Sequence, residues 1–173
     1  MLFHAPTGVQ SNPCVRVLDW QAAAVHEADQ RDITRVLEGH LHLETSLSII
    51  VRPTEVDVNG HVNNSKYVEY LEWGREEWYE HNGLPYDRLF ALGAVTVTVN
   101  INLDFRRECR QGEALVIRTR PDRLGRTSFA LRQEICKVDG SVAAEGTVTL
   151  VTIDPATRKS RPVPAELAAA FRP

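Results

Sequence analysis

From Thr45 to Arg52 apolar and polar residues take turns. Thr45, Leu47, Ile49 and Val51 point one way and Ser46, Ser48 and Arg52 the other, with Ile50 the exception. A period of two is that of a half-buried strand, and Pro53 ends it. Beyond residue 63 the period lengthens. Tyr67, Tyr70, Leu71, Gly74 and Trp78 recur at helical spacing, while Lys66, Glu69, Glu72, Glu76 and Glu80 fall opposite. This predicts one long amphipathic helix over 63–82, stopped by Gly83 and Pro85. The period then returns to two. Val95, Val97, Val99, Ile101, Leu103 and Phe105 alternate without a break against Thr96, Thr98, Asn100, Asn102, Asp104 and Arg106, predicting a long strand with one apolar face. Gly112 marks a turn, Leu115, Ile117 and Thr119 give the next strand, and residues 121–125 turn the chain again. Phe129, Leu131 and Ile135 continue the pattern, Asp139-Gly140 signals a tight hairpin, and residues 143–153 close the series before Asp154-Pro155. Residues 164–171 suit a short final helix.

One strand, one long helix and four more strands on hairpin-length connections imply antiparallel neighbours. A sheet with one apolar face and a helix with one apolar stripe must bury them against each other. The fold class expected is therefore α+β: a curved antiparallel sheet of about five strands wrapped around one long central helix. One helix leaves part of such a sheet uncovered, which favours pairing with a second copy. Residues 44–173 are read as the domain. Residues 1–43 are read as an N-terminal extension: Pro6, Gly8, Asn12 and Pro13 mark a loose arm, and residues 17–40 hold a weak helical period through Val17, Ala22, Val25 and His26.

Composition narrows the function classes. The 173 residues, 43% of them hydrophobic, suit one domain with a real core. A net charge of −3 with 25% charged residues shows no basic excess of the kind nucleic-acid binding calls for, although arginines are numerous after residue 105. Cys14, Cys109 and Cys136 show no CxxC spacing, which argues against a disulfide framework or structural zinc and for a reducing cytoplasm. His40-Leu41-His42 has no third ligand of matching spacing, so no metal is expected. No signal-peptide pattern opens the chain, and no apolar run approaches the roughly 20 residues that span a bilayer.

The chemistry is concentrated in residues 57–67, Asp57-Val58-Asn59-Gly60-His61-Val62-Asn63-Asn64-Ser65-Lys66-Tyr67. A carboxylate, a glycine turn, a histidine and two asparagines stand directly ahead of the helix. Asp57 supplies a base or nucleophile, and the first helical turn supplies unpaired N–H donors that can polarise a carbonyl. Simpler roles exist for each. Asp57 alone reads as a turn or cap residue, His61 as a packing residue, Asn63 or Asn64 as the N-cap, and Tyr67 as core. Glu72 lies at the border of the polar face, where it either supports a partner's site or is solvated. Glu55, two residues before Asp57, makes a carboxylate dyad conceivable.

Val51-Arg52, the block Asp57-Val58-Asn59-Gly60-His61-Val62-Asn63-Asn64, and Tyr67, Tyr70, Glu72 and Arg75 together resemble the hotdog-fold thioesterases, in the 4-hydroxybenzoyl-CoA thioesterase-like branch. The resemblance runs from residue 44 to about 154. It implies the hotdog fold, and a homodimer or homotetramer with active sites at the subunit interface. It also implies acyl-CoA or acyl-carrier-protein thioester substrates, and neither metal nor other cofactor. In that frame Asp57 activates water or attacks directly, and the oxyanion donor falls at Asn64 with Gly60 or His61 nearby. CoA phosphates need cations. Arg106, Arg107, Arg110, Arg118, Arg120, Arg123 and Arg126 are candidates, with Arg123 and Arg126 preferred because they flank a turn glycine. The expected activity is acyl-CoA hydrolysis. The alternatives are hydrolysis of acyl-carrier protein and a non-catalytic acyl-CoA-binding module.

Overall fold

Asn64–His81 forms the long helix α1, on which Tyr67, Tyr70, Leu71, Gly74 and Trp78 are all buried, as the spacing predicts. Arg75 is buried with them, which a charge-based reading of the face does not anticipate. The computed structural model describes residues 44–172. The helical period within 17–40, the His40/His42 pair and Cys14 lie outside the described residues. Along the chain stand β1 (Thr45–Ile50), a 3-10 turn (Pro53–Glu55), α1, a six-residue helix α2 (Tyr86–Ala91) and β2 (Val95–Phe105). β3 (Ala114–Leu124), β4 (Ser128–Lys137), β5 (Val142–Ile153) and α3 (Ala165–Ala169) follow. The strands form one antiparallel sheet in the order β1-β3-β4-β5-β2, so the α+β expectation holds.

Several sequence expectations change. Consecutive strands β2 and β3 are not neighbours: β2 pairs with β5 at one edge, and β3 pairs with β1 at the other. Residues 106–113 are therefore a crossover spanning the end of the sheet. The apolar alternation of β2 is also interrupted in space. The register shifts between Thr98 and Asn100, leaving Val99 as the extra residue of a bulge, 57% exposed. Below the bulge Ile101, Leu103 and Phe105 share the face of Val148, Gly146 and Ala144; above it Thr96 and Thr98 take that face opposite Thr152 and Leu150. Nor does β3 turn at residues 121–125. It runs through to Leu124 with a bulge between Pro121 and Arg123. A hairpin does form at Asp139-Gly140, but with the three residues Val138, Asp139 and Gly140 in the loop and not the two the dipeptide signals. Lys137 N donates to the Ser141 carbonyl and Gly140 N to the Lys137 carbonyl, each at 2.9 Å, with Gly140 at φ +81° and Asp139 Oδ1 accepting from Ser141 N at 2.8 Å.

What locks α1 onto the sheet is a polar cluster within one transverse row. Leu103, Gly146, Gln133, Thr119 and Thr45 lie side by side across all five strands, the last three supplying the polar groups. Gln133, fully buried, donates through Nε2 to the Leu71 carbonyl and to Thr119 Oγ1, each at 2.8 Å, and its Oε1 accepts from Arg75 Nη1 at 3.2 Å. Gly74 makes this approach possible: a Cβ there would lie 2.5 Å from Ile117 Cγ2 and 3.0 Å from Thr119 Oγ1. Gly74→Ala is expected to lower stability by about 2 kcal/mol. Overpacking of about 3 kcal/mol outweighs a helix-propensity gain of about 1 kcal/mol. Urea denaturation, read as a shift in midpoint at constant slope, checks it.

Candidate active site

β1 runs into Val51, whose N–H donates to the Glu113 carbonyl and whose carbonyl accepts from Gly112 N. The 3-10 turn then throws the chain into a short loop closed by the Val56–Val62 bridge. Inside the loop Asp57 N donates to the His61 carbonyl at 2.9 Å and Gly60 N to the Asp57 carbonyl at 3.0 Å. Gly60 sits at φ +80°, a conformation side-chain-bearing residues rarely adopt. Asp57 Oδ1 accepts from Asn59 N at 2.8 Å and lies 3.8 Å from His61 Nδ1. The carboxylate is thus fixed by its own loop yet keeps 20% of its side chain exposed.

Asn63 is the N-cap of α1, accepting from Ser65 N at 2.9 Å and Ser65 Oγ at 2.8 Å. Asn64 is the first helical residue, so its N–H has no acceptor within the helix and points out of the positive end. The two asparagines divide the labour: Asn63 shapes the turn and Asn64 presents the donor. The opposite wall is the crossover. Val62 N donates to the Cys109 carbonyl at 2.8 Å, which brings residues 105–108 over the start of the helix. The result is a cleft of about 340 Å³ with Asp57, His61, Val62 and Asn64 on one side, Tyr67 on the floor, and Phe105, Arg106, Arg107 and Glu108 on the other.

The floor is inert. The Tyr67 ring meets Phe105 edge-on at 5.2 Å, and burial pushes its hydroxyl far above the usual phenol range, with Cys109 adding to the effect. Burial likewise raises Cys109, which disfavours the thiolate, while the Tyr67 hydrogen bond opposes the shift. Among the cations, Arg106 is held by Asp104 at 2.9 Å and Glu145 at 3.2 Å, and Arg107 Nη1 donates to the Val142 carbonyl at 3.0 Å.

Asp57, Gly60, His61, Asn63, Asn64 and Tyr67 come together here. Of the candidate cations, Arg106 and Arg107 join them in the cleft lining, whereas Glu72, Arg123 and Arg126 do not. Glu72 borders a separate groove of about 600 Å³ alongside α1, with Arg75, Tyr79, Leu89, Thr96 and Leu150. Arg123 and Arg126 lie at the far end of β3, whose start abuts Val51. Eleven strand residues put them roughly 30 Å from Asp57 within one chain. Glu55 does not form a dyad with Asp57. It is buried, and its Oε2 accepts from Tyr70 Oη at 2.8 Å and Arg52 N at 2.6 Å. Phe105, Glu108 and the pair Arg106/Arg107 enter the cleft only because of the crossover, which periodicity does not reveal. Among the described residues no group of three or more His, Cys, Asp or Glu side chains could hold a metal ion, and no helix is long and apolar enough to cross a membrane.

Residues 51–171 match the family model described as the thioesterase-like superfamily. The chain belongs to that family. The wrapped sheet and central helix of this thioesterase-like superfamily member are the hotdog fold. It is 35% identical over 120 residues to the long-chain acyl-CoA thioesterase FadM of Escherichia coli K12, covering 69% of this chain and 90% of that one. It is 25% identical over 118 residues to the acyl-CoA thioester hydrolase YbgC of Escherichia coli O6:H1, covering 68% and 88%. The crystal structure of Slr0204, a 1,4-dihydroxy-2-naphthoyl-CoA thioesterase from Synechocystis, superposes with a TM-score of 0.68 over 74% of this chain and 95% of that one. At 18% identity that likeness speaks for the fold alone.

Proposed function

We propose that this chain hydrolyses acyl-CoA thioesters to a free acid and CoA. The observation that carries the reading is one cleft lined by both Asp57 and Asn64, the residue whose N–H opens α1. Similarity to relatives named as acyl-CoA thioesterases supports CoA as the carrier. The chemistry follows from the geometry. Asp57 takes a proton from water, the hydroxide oxygen bonds to the acyl carbon, and the carbonyl oxygen gains negative charge opposite the Asn64 N–H. One such donor is worth roughly 3–4 kcal/mol of barrier. The C–S bond then breaks, and the leaving thiolate takes up the proton held by Asp57. Direct attack by Asp57, giving a mixed anhydride that water then opens, uses the same atoms. His61 Nδ1 lies 3.8 Å from the carboxylate and 3.4 Å from the Val62 carbonyl, beside the reacting groups.

Arg106 and Arg107 at the rim are the phosphate-binding cations nearest the chemistry. The active form is a homodimer, or a tetramer of two such pairs, joined along the open edge of β2. That edge runs for eleven residues and exposes Val99 and Phe105. Antiparallel pairing there would carry the far end of the partner's sheet, with its own basic turn around residues 123–126, toward this cleft. No metal takes part, and the cytoplasm is the setting.

A hydrolysis panel tests the reading: acyl groups of increasing length, each on CoA and on acyl-carrier protein. CoA thioesters are expected to show kcat/KM at least about tenfold higher, a difference of about 1.4 kcal/mol in transition-state binding. Faster turnover of the carrier-protein set would transfer the assignment to that substrate. Tight acyl-CoA binding without product would make the chain a binding module.

A further inference from the structure

We propose that Glu55 is a positioning residue that, with Tyr70, fixes the spacing between Asp57 and the Asn64 N–H; the proposal rests on the thioester-hydrolysis reading of that cleft. Glu55 is 6% exposed and precedes both functional groups along the chain. Its Oε2 accepts from Tyr70 Oη at 2.8 Å, on the second turn of α1, and from Arg52 N at 2.6 Å, just past β1. Its backbone carbonyl accepts from Asn63 N at 2.9 Å, the residue that caps α1 and precedes Asn64. One residue thereby ties the end of a strand, the body of the helix and the cap of the helix to a single point. Asp57 is two residues further on.

The arrangement needs an acceptor, not a charge. No lysine or arginine side chain forms an ion pair with Glu55 among the described residues, and both bonds fall on one oxygen. A glutamine places an amide oxygen at the same position and can accept from both donors. Tyr70 is held as a donor, because burial and then the Glu55 bond push its hydroxyl far above the usual phenol range. If Glu55 were instead a second base, glutamine would be as damaging as alanine.

The test compares Glu55→Gln, Glu55→Ala and Tyr70→Phe in steady-state acyl-CoA hydrolysis, together with backbone amide exchange at Asp57, Gly60 and Asn63. Glu55→Ala and Tyr70→Phe are expected to lower kcat about tenfold to a hundredfold, with KM within about threefold, since a displacement of about 1 Å suffices for that loss. Glu55→Gln is expected to recover most of the rate, and amide exchange to quicken in the alanine variant but not in the glutamine one. Equal loss in the glutamine and alanine variants, or full kcat in Glu55→Ala, would overturn the proposal. Should Glu55→Ala fail to fold, Tyr70→Phe carries the same test with one bond removed. If the parent protein hydrolyses no thioester, the functional reading falls, and amide exchange alone decides the positioning role: unchanged exchange in Glu55→Ala and Tyr70→Phe rejects it.

Discussion

Asp57→Asn is expected to reduce acyl-CoA turnover by about 10²- to 10⁴-fold while leaving the folded protein intact. The substitution is chosen for what it keeps. The amide oxygen still accepts from Asn59 N, the bond that shapes the loop, and the backbone contacts of Asp57 with His61 and Gly60 do not involve the side chain. Only the proton acceptor is lost. Asp57→Ala removes the same base and also the loop bond, so it should add about 1 kcal/mol of instability to a similar loss of rate. Steady-state hydrolysis set beside thermal melting separates the two effects. A normal rate in Asp57→Asn would rule out both base and nucleophile roles, with the hotdog assignment untouched.

Gln133→Leu is expected to have the largest effect on stability, about 3–4 kcal/mol. The leucine fills much the same volume but deprives three partners at once: the Leu71 carbonyl, Thr119 Oγ1 and Arg75 Nη1. Arg75 matters most. Burial pulls it below the ordinary guanidinium range, with Glu72, Tyr79 and Glu76 pushing back, and Gln133 is a side-chain acceptor for this buried guanidinium. Removing an acceptor from a buried charge costs more than a neutral hydrogen bond, whereas replacing both partners with apolar groups can be close to neutral. The double variant Arg75→Met with Gln133→Leu should therefore recover at least about 1 kcal/mol relative to the sum of the singles. A double-mutant cycle from denaturant melts measures this coupling. Strict additivity would mean that the network contributes no more than its separate bonds.

The sequence shows some of this well. The helical period picks out every buried residue of α1 except Arg75, because an amphipathic helix writes its environment directly into spacing. Asp139-Gly140 marks the place of its hairpin equally well, though the loop holds three residues and not two. The block from Asp57 to Asn64 also lands where its pattern suggests, at the start of the helix. Other features leave no such trace. Periodicity tells which side of a strand is buried but not which strand lies beside it, so the crossover of residues 106–113 reads as an ordinary turn. That crossover brings Phe105, Arg106 and Arg107 to the cleft. Charge hides burial in the same way. Arg75 and Glu55 look like surface residues until Gln133 and Tyr70 are seen to satisfy them.

The extra residue at Val99 has a consequence of its own. Strand β2 is two strands in opposite phase, spliced at one point. Pairing that single residue into a regular ladder would rotate every side chain on one flank by half a turn, setting either Ile101, Leu103 and Phe105 or Thr96 and Thr98 outward. Along this edge the fold depends on one residue being left out of the count. A valine that touches little is set aside by the bulge, so that a greasy lower half and a hydroxyl-bearing upper half turn toward the same helix.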